Sequence, residues 1–383
     1  MILASTSSFL AQFNHRNIEI LLDMGYEVHV AANFIHFGTI SSQSNQDFIK
    51  WLKKKQVIIH NIPIRRKLGN FNENIKVVLF LNRIMRENNF RFVHIHTPIA
   101  SILGRIVACK NNVPVIYTAH GFHFSKNTSF LNWFVFPLEW IFSFKTEQLL
   151  LINEEDFRLA KKTMLAKKIL YVPGVGINFN ILGKPTVKEH DKLKNELLLK
   201  YSLPKESKVL ISVGELSIRK NHSVVIKAIA MLRDENVHYF IAGRGNEREN
   251  LGNLAFKLGI TSQIHFLDYT KNIRELNLAA DLAILPSLRE GLSRAGLESI
   301  RDGTYLLGAN IRGVKDYIFN EEIGGLFDPH NENALARLIK QNINHSRTNL
   351  SWQTVSKLMV FDRGMVDHQM RDIYRGMGEG YAN

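Results

Sequence analysis

Short apolar runs alternate along this chain with longer stretches in which apolar residues recur every three or four positions. The runs at residues 1–4, 27–32, 57–62, 92–96, 115–118, 148–152 and 169–172 predict strands, and the amphipathic stretches at 13–24, 71–88 and 99–110 predict helices between them. Parallel neighbours need a crossover, usually a helix, so this alternation predicts a parallel sheet with helices on both faces. The pattern restarts with strands at 209–213, 238–241, 264–266, 282–285 and 306–309 and helices at 223–234, 247–258, 273–279 and 297–301. Between the two sets lie Gly174, Gly176, Gly183, Pro185 and Pro204 and a charged stretch at 188–200, read as a linker and a polar helix. The predicted class is α/β: two Rossmann-like doubly wound parallel-sheet domains facing a cleft. Their expected bounds are 1–175 and 176–360, with a C-terminal helix at 361–383 that could cross back to the first domain. In open parallel sheets ligands bind beyond the carboxyl ends of the strands, so the loops there are where chemistry is expected.

The 383 residues are enough for two cores. The net charge of +14 is uneven: residues 1–183 hold 21 Lys+Arg against 11 Asp+Glu, a net of +10. The first half therefore invites an anionic partner, whether nucleic acid, anionic lipid or a phosphorylated acceptor. The lone cysteine, Cys109, excludes an internal disulfide and is expected to be buried. No run reaches the roughly 18–20 apolar residues of a membrane span, and no secretory leader is visible, so a cytoplasmic protein is expected. The aromatic cluster Phe130, Trp133, Phe134, Phe136, Trp140, Phe142 and Phe144 is expected to form a core helix, with interfacial membrane contact as the alternative.

The sharpest constellation is Glu290-Gly291-Leu292-Ser293-Arg294-Ala295-Gly296-Leu297-Glu298, after the strand at 282–285. If Ser293 or Arg294 opens a helix, the preceding amides converge on one spot suited to phosphate. Ionised carboxylates accept hydrogen bonds from hydroxyls. Phosphates beside hydroxyls are what a nucleotide sugar offers; the bland alternative is a solvated loop with a helix-capping glutamate. In Gly214-Glu215-Leu216-Ser217-Ile218-Arg219-Lys220, the glycine allows a tight turn and Arg219 and Lys220 could clamp a diphosphate, or simply be solvated. Gly243-Arg244-Gly245 is too incomplete a glycine fingerprint to argue for NAD. His120-Gly121-Phe122-His123 follows the strand at 115–118, so His120 could reach a ligand or be structural.

Residues 290–298 resemble the E-x7-E motif of retaining glycosyltransferases with the GT-B fold. Ser212-Val213-Gly214 through Lys220 is similar to their diphosphate loop, and Ala242–Gly245, Phe266–Tyr269 and Gly324–Pro329 resemble their later loops in order. The chain is identified as a member of glycosyltransferase family 4. The resemblance is specific over about residues 205–330. Its extension through residues 171–176 and 120–123 looks like the bacterial capsule and exopolysaccharide branch. It implies transfer of a sugar, with retention, from a nucleotide sugar (UDP by family habit) to a lipid-linked saccharide at an anionic membrane face. Metal and other cofactors are implied to be absent. By position, Glu298 would hold the donor ribose and Glu290 the sugar hydroxyls. Gly291, Leu292 and Ser293 would offer amides, and Lys220, with Arg219 near Gly214, would neutralise the diphosphate. Leu267, Asp268 and Tyr269 would lie by the base. His120, with Gly121 and His123, would stand on the acceptor side. Basic segments Lys53-Lys54-Lys55 and Arg65-Arg66-Lys67 could meet anionic lipid.

The sequence departs from the family pattern at three places. Glu215 stands where many members have arginine. The first strand leads into Ser5-Thr6-Ser7-Ser8 rather than a glycine-rich loop. That strand also opens at Met1 with almost no lead-in, so a few residues are expected to be missing. Other readings are an epimerase-like nucleotide-sugar enzyme of the same fold, a phosphorylase, or a basic nucleic-acid-binding protein. No carboxylate set for C–H chemistry, no lysine identifiable for pyridoxal and no nucleic-acid module supports them, and nucleic acid is not expected as a partner.

Overall fold

The computed structural model describes residues 1–65, 70–122, 124, 135–179, 186–270, 272–344 and 350–379. The chain divides into two compact units, Met1–Gly176 with Arg363–Asn383, and Ile177–Asp362.

The first unit holds a seven-stranded sheet in the order β3-β2-β1-β4-β5-β6-β7. The strands are β1 Ile2–Thr6, β2 His29–Asn33, β3 Ile58–Asn61, β4 Val93–His96, β5 Val115–Ala119, β6 Gln148–Leu151 and β7 Lys168–Tyr171. Every pairing is parallel, with Ile2 opposite Val30 on one side and His94 on the other. Strands β1, β2, β4, β5 and β6 are buried throughout, as a sheet covered by helices on both faces requires. Helix signals are local: Asn70 and Glu73 form a reciprocal capping box for Phe71–Glu87, and Pro98 opens Pro98–Lys110. The helix predicted at 13–24 is His15–Asp23; a short helix Ser7–Phe13 before Asn14 and a helix at Ser42–Lys54 are additions to the predicted set. The C-terminal helix Arg363–Glu379 packs in this unit, burying Val366, Met370, Ile373, Tyr374 and Met377 in the core around β1 and β2. Arg16 pairs with Asp367 at 2.6 Å.

The second unit holds six strands, β8 Lys208–Val213, β9 Val237–Ala242, β10 Ile264–Asp268, β11 Leu282–Leu285, β12 Leu306–Ala309 and β13 Gly324–Phe327. Their order is β10-β9-β8-β11-β12-β13, again all parallel. The family resemblance implies a loop at 324–329, where the chain instead forms β13. Gly324 and Gly325 hide the strand signal, yet glycine is what lets β13 join: a Cβ on Gly324 would stand 1.9 Å from the Leu306 carbonyl oxygen. In both sheets the order reverses beside the first strand, between β1 and β4 and between β8 and β11. Those are the points where open α/β sheets leave a crevice for a ligand.

Two expectations are corrected. Cys109 is exposed: in the last turn of Pro98–Lys110, Val107 and Ala108 take the inward positions. The aromatic segment is not a core helix where it is described. In Phe136–Ser143 the buried positions go to Ser143 and to Glu139, which buried Arg105 requires as a partner at 2.7 Å; Leu138, Trp140 and Ile141 face outward, and Phe144 beyond them is also exposed. Phe130, Trp133 and Phe134 lie outside the described residues.

Candidate functional site

In the second unit, three loops meet at the carboxyl ends of β8 and β11. Strand β8 ends at Val213, and the chain turns at Gly214. A Cβ there would sit 3.2 Å from Cε of Lys220, so the lysine lies back over the strand end. Gly243 and Gly245 also serve backbone packing: a Cβ on either would come within 1.8 Å of the Gly214 oxygen or 2.0 Å of the Leu216 oxygen. Asn221 takes a left-handed conformation, φ 55°. Its Nδ2 donates to the carbonyls of Pro286 at 3.2 Å and Pro329 at 2.8 Å, tying the loop after β8 to those after β11 and β13. Leu288 N donates to Arg219 O at 2.9 Å, completing the tie.

This places Lys220 Nζ 2.7 Å from Glu290 Oε1, with Arg219 Nη1 3.4 Å from the same oxygen. Both Lys220 and Glu290 are largely enclosed. Burial pushes the Glu290 carboxyl up, but Lys220 and Arg219 outweigh it and hold the group below its ordinary value. Glu290 is therefore an ionised, buried carboxylate that fixes an ammonium beside a strand end.

Ser293 caps the helix Arg294–Arg301, accepting from Gly296 N, so the helix begins directly after Gly291–Ser293. Gly296 packs on Tyr317, where a Cβ would meet the Tyr317 hydroxyl at 2.4 Å. Gly313, φ 75°, packs on Gly291, where a Cβ would meet its oxygen at 2.0 Å. Glu298 is engaged by Arg294 at 2.8 Å. At the end of β10, Leu267 packs against the core, Asp268 has φ 54° and pairs with Arg248, and Tyr269 is exposed. Glu215 is exposed and 4.0 Å from Arg219.

Arg289 and Arg312 were not anticipated. The Arg289 guanidinium is held below the ordinary arginine range by desolvation and by the like charges of Arg312 and Arg219, partly offset by Glu290. Arg289 adjoins Glu290 in sequence and could have been suspected; Arg312, in the loop after β12, belongs to no motif.

In the first unit, His120 follows β5. Its Nε2 lies 3.1 Å from His96 Nδ1, and Phe9 meets its ring edge-on at 4.7 Å between centroids. His94 completes the cluster, 4.1 Å from His96 between ring centroids, with Nδ1 2.8 Å from Tyr374 Oη and Nε2 2.7 Å from Thr118 Oγ1. Burial lowers His120 to about 4 and His94 to about 3, so both rings are neutral at ordinary pH. Gly121, φ 113°, makes the turn, and Phe122 N donates to Asp156 Oδ2 at 2.9 Å. His123 lies outside the described residues. In place of a glycine-rich loop, Ser5 locks the switch point: its N and Oγ lie 3.0 and 2.7 Å from Thr97 Oγ1. Thr97, φ 65°, is a strained β-branched residue directly after His96. His94 and His96 gave the sequence reading only a strand pattern, because their partners come from β5 and the C-terminal helix.

Two units of Rossmann strand order, with a Lys–Glu pair and a capped helix at the switch point of the second, define a glycosyltransferase of the GT-B fold. Residues 13–153 match the family model described as Glycosyltransferase Family 4, and residues 194–357 match Glycosyl transferases group 1. The chain belongs to glycosyltransferase family 4. It is 29% identical over 360 residues to EpsD of Bacillus subtilis (strain 168), which carries a glycosyltransferase name, covering 92% of this chain and 89% of that one. It is 27% identical over 284 residues to the UDP-Gal:alpha-D-GlcNAc-diphosphoundecaprenol alpha-1,3-galactosyltransferase of Escherichia coli, covering 71% and 72%. Among solved structures, Anabaena HepE in complex with UDP and glucose shares the fold at TM-score 0.76 and 16% identity, over 98% of each chain.

Proposed function

We propose that this enzyme transfers a sugar, with retention, from a UDP-sugar to a hydroxyl of a lipid-linked saccharide in capsule or exopolysaccharide synthesis. The observation that carries this reading is the Lys220–Glu290 pair at the β8–β11 switch point. The lysine ammonium has three N–H donors and spends one on Glu290, which leaves two for phosphate oxygens. When the bond from the anomeric carbon to the diphosphate breaks, its electron pair goes to the leaving group. A fixed ammonium stabilises that charge without reorganising, and Arg219 adds to it. These cations take the role a divalent metal would otherwise fill. Gly214 lets the lysine lie close; Glu290 meets sugar hydroxyls; Gly291, Leu292 and Ser293 contribute amides; Glu298 holds the ribose; and Leu267, Asp268 and Tyr269 border the base. His120, Gly121 and His123 serve the acceptor side. The donor and acceptor classes are supported by the name of the Escherichia coli relative and by the UDP complexes of HepE.

The acceptor would be met at the cytoplasmic face of an anionic membrane. Among the described residues no helix is long and apolar enough to cross one. On Phe71–Glu87, however, Phe71, Ile75 and Leu79 recur at every fourth position and are exposed, beside exposed Lys76, Arg83 and Arg86. Lys53, Lys54 and Lys55 are exposed as well, while Arg65 pairs with Glu73; Arg66 and Lys67 lie outside the described residues. An apolar stripe flanked by cations suits an anionic interface.

The test is incubation with labelled UDP- and GDP-sugars and undecaprenyl-diphosphate-linked saccharides. A lipid product longer by one sugar, in the donor's anomeric configuration, is expected. An inverted product would overturn retention, and product from GDP-sugars alone would overturn the choice of UDP.

A further inference from the structure

Each neutral imidazole carries one N–H and one bare lone pair, so the partners of one ring constrain the next. His96 is buried and has two nitrogens to satisfy. Nδ1 faces Nε2 of His120 at 3.1 Å, and Nε2 is buried with no hydrogen-bond partner. Two proton arrangements fit the 3.1 Å contact. If His120 donates, the His96 proton is on Nε2 and an N–H is buried unmade. If His96 donates from Nδ1, only a lone pair is left unmet. Orphaned buried N–H groups are the rarer of the two in folded proteins. The neighbouring ring does not reverse the choice. Tyr374 is fully buried and neutral, and its hydroxyl proton has Nδ1 of His94 to go to at 2.8 Å. That leaves His94 to donate from Nε2 to Thr118, 2.7 Å away, so His94 meets His96 through ring contact alone.

We infer that His96 donates its Nδ1 proton to Nε2 of His120, so that His120 carries its own proton on Nδ1 and offers a bound sugar oxygen an N–H rather than a lone pair. His96 is thus a positioning residue: it sets the tautomer and, with Phe9 against the ring, the orientation of His120. The strained backbone of Thr97, held by Ser5, fixes the point at which the chain leaves His96. A donor N–H suits a hydroxyl or ring oxygen. It does not suit proton abstraction, so His120 is excluded as the base. The part concerning the sugar rests on the proposed function; the proton assignment does not.

The test is ring nitrogen–proton correlation NMR on the full chain labelled with 15N-histidine, assigned by His120→Gln and His96→Gln. The expected pattern for His120 is a protonated Nδ1 and a bare Nε2; the opposite pattern overturns the inference whether or not the protein transfers sugar. In the transfer assay, His96→Gln keeps an N–H donor and is expected to stay within about threefold of wild type. His96→Leu removes the donor and is expected to lose about tenfold in kcat, the equivalent of one neutral hydrogen bond, with KM little changed. Equal loss in both variants would make His96 structural only and overturn its positioning role.

Discussion

The amino group of Lys220 lies 2.7 Å from Oε1 of Glu290, seventy positions away in the chain. The pair exists because Gly214 leaves room for the lysine and Asn221 ties its loop to Pro286. Replacing Lys220 by Met keeps the length and removes the charge. Transfer is then expected to fall by about 10²–10³, the scale of losing one charge-stabilising donor. Glu290→Ala leaves a buried ammonium unpaired and is expected to cost about 3–5 kcal/mol in denaturant unfolding. On the proposal that these cations take the metal's role, EDTA is expected to leave the rate unchanged; a rate restored only by added divalent metal would contradict it.

Stability should depend on pH through the histidine cluster. His94 and His120 stay neutral in the fold, with values near 3 and 4 against an ordinary 6.5. The unfolded chain therefore binds more protons below pH 6.5. The stability these rings contribute is present above 6.5 and lost as pH falls toward 4, by up to about 1.4 kcal/mol per pH unit per histidine. The expected result is a thermal midpoint that drops between pH 6.5 and 4.5, less steeply in His94→Gln. Equal slopes in variant and wild type would contradict the assignment.

The glycines differ sharply in what they tolerate. Gly243→Ala would drive a Cβ to 1.8 Å from the Gly214 oxygen, and Gly313→Ala would do the same against Gly291 at φ 75°. Both are expected to destabilise by about 1–3 kcal/mol and to weaken nucleotide binding. Gly252, in the helix Arg248–Lys257, has nothing within 4 Å of an added Cβ. Gly252→Ala is expected to stabilise by up to about 1 kcal/mol. Chemical denaturation of the three variants decides it.

Membrane contact can be separated from catalysis. Phe71→Ser with Leu79→Ser removes the two most exposed apolar residues of the stripe without touching the core. Reduced flotation with anionic vesicles is expected, with nucleotide binding unchanged. Undiminished flotation would remove this helix from the proposed interface.

Most of the fold was legible because buried parallel strands are continuous apolar runs and their crossovers carry a helical period. Among the strands the exception is β13, short and half glycine, where Gly324 answers to the Leu306 backbone rather than to any local preference. For the loops carrying Lys220 and Glu290, a glycine after a strand and a carboxylate before a helix leave a linear trace, but residue types alone also fit solvated loops, and the family resemblance is what singles them out. His96 and Arg312 matter through neighbours distant in sequence, and burial is what gives them meaning. Glu139 misled for the same reason: its pairing with Arg105 turns an apolar helix outward.

The most direct measurement is calorimetric titration of UDP into the wild type, Lys220→Met and Glu298→Ala. The account predicts binding by the wild type that weakens about tenfold or more in each variant, at the scale of one charge-assisted hydrogen bond. Unchanged UDP affinity in both variants, or no binding of any nucleotide by the folded wild type, would contradict the placement of the donor site at the β8–β11 switch point.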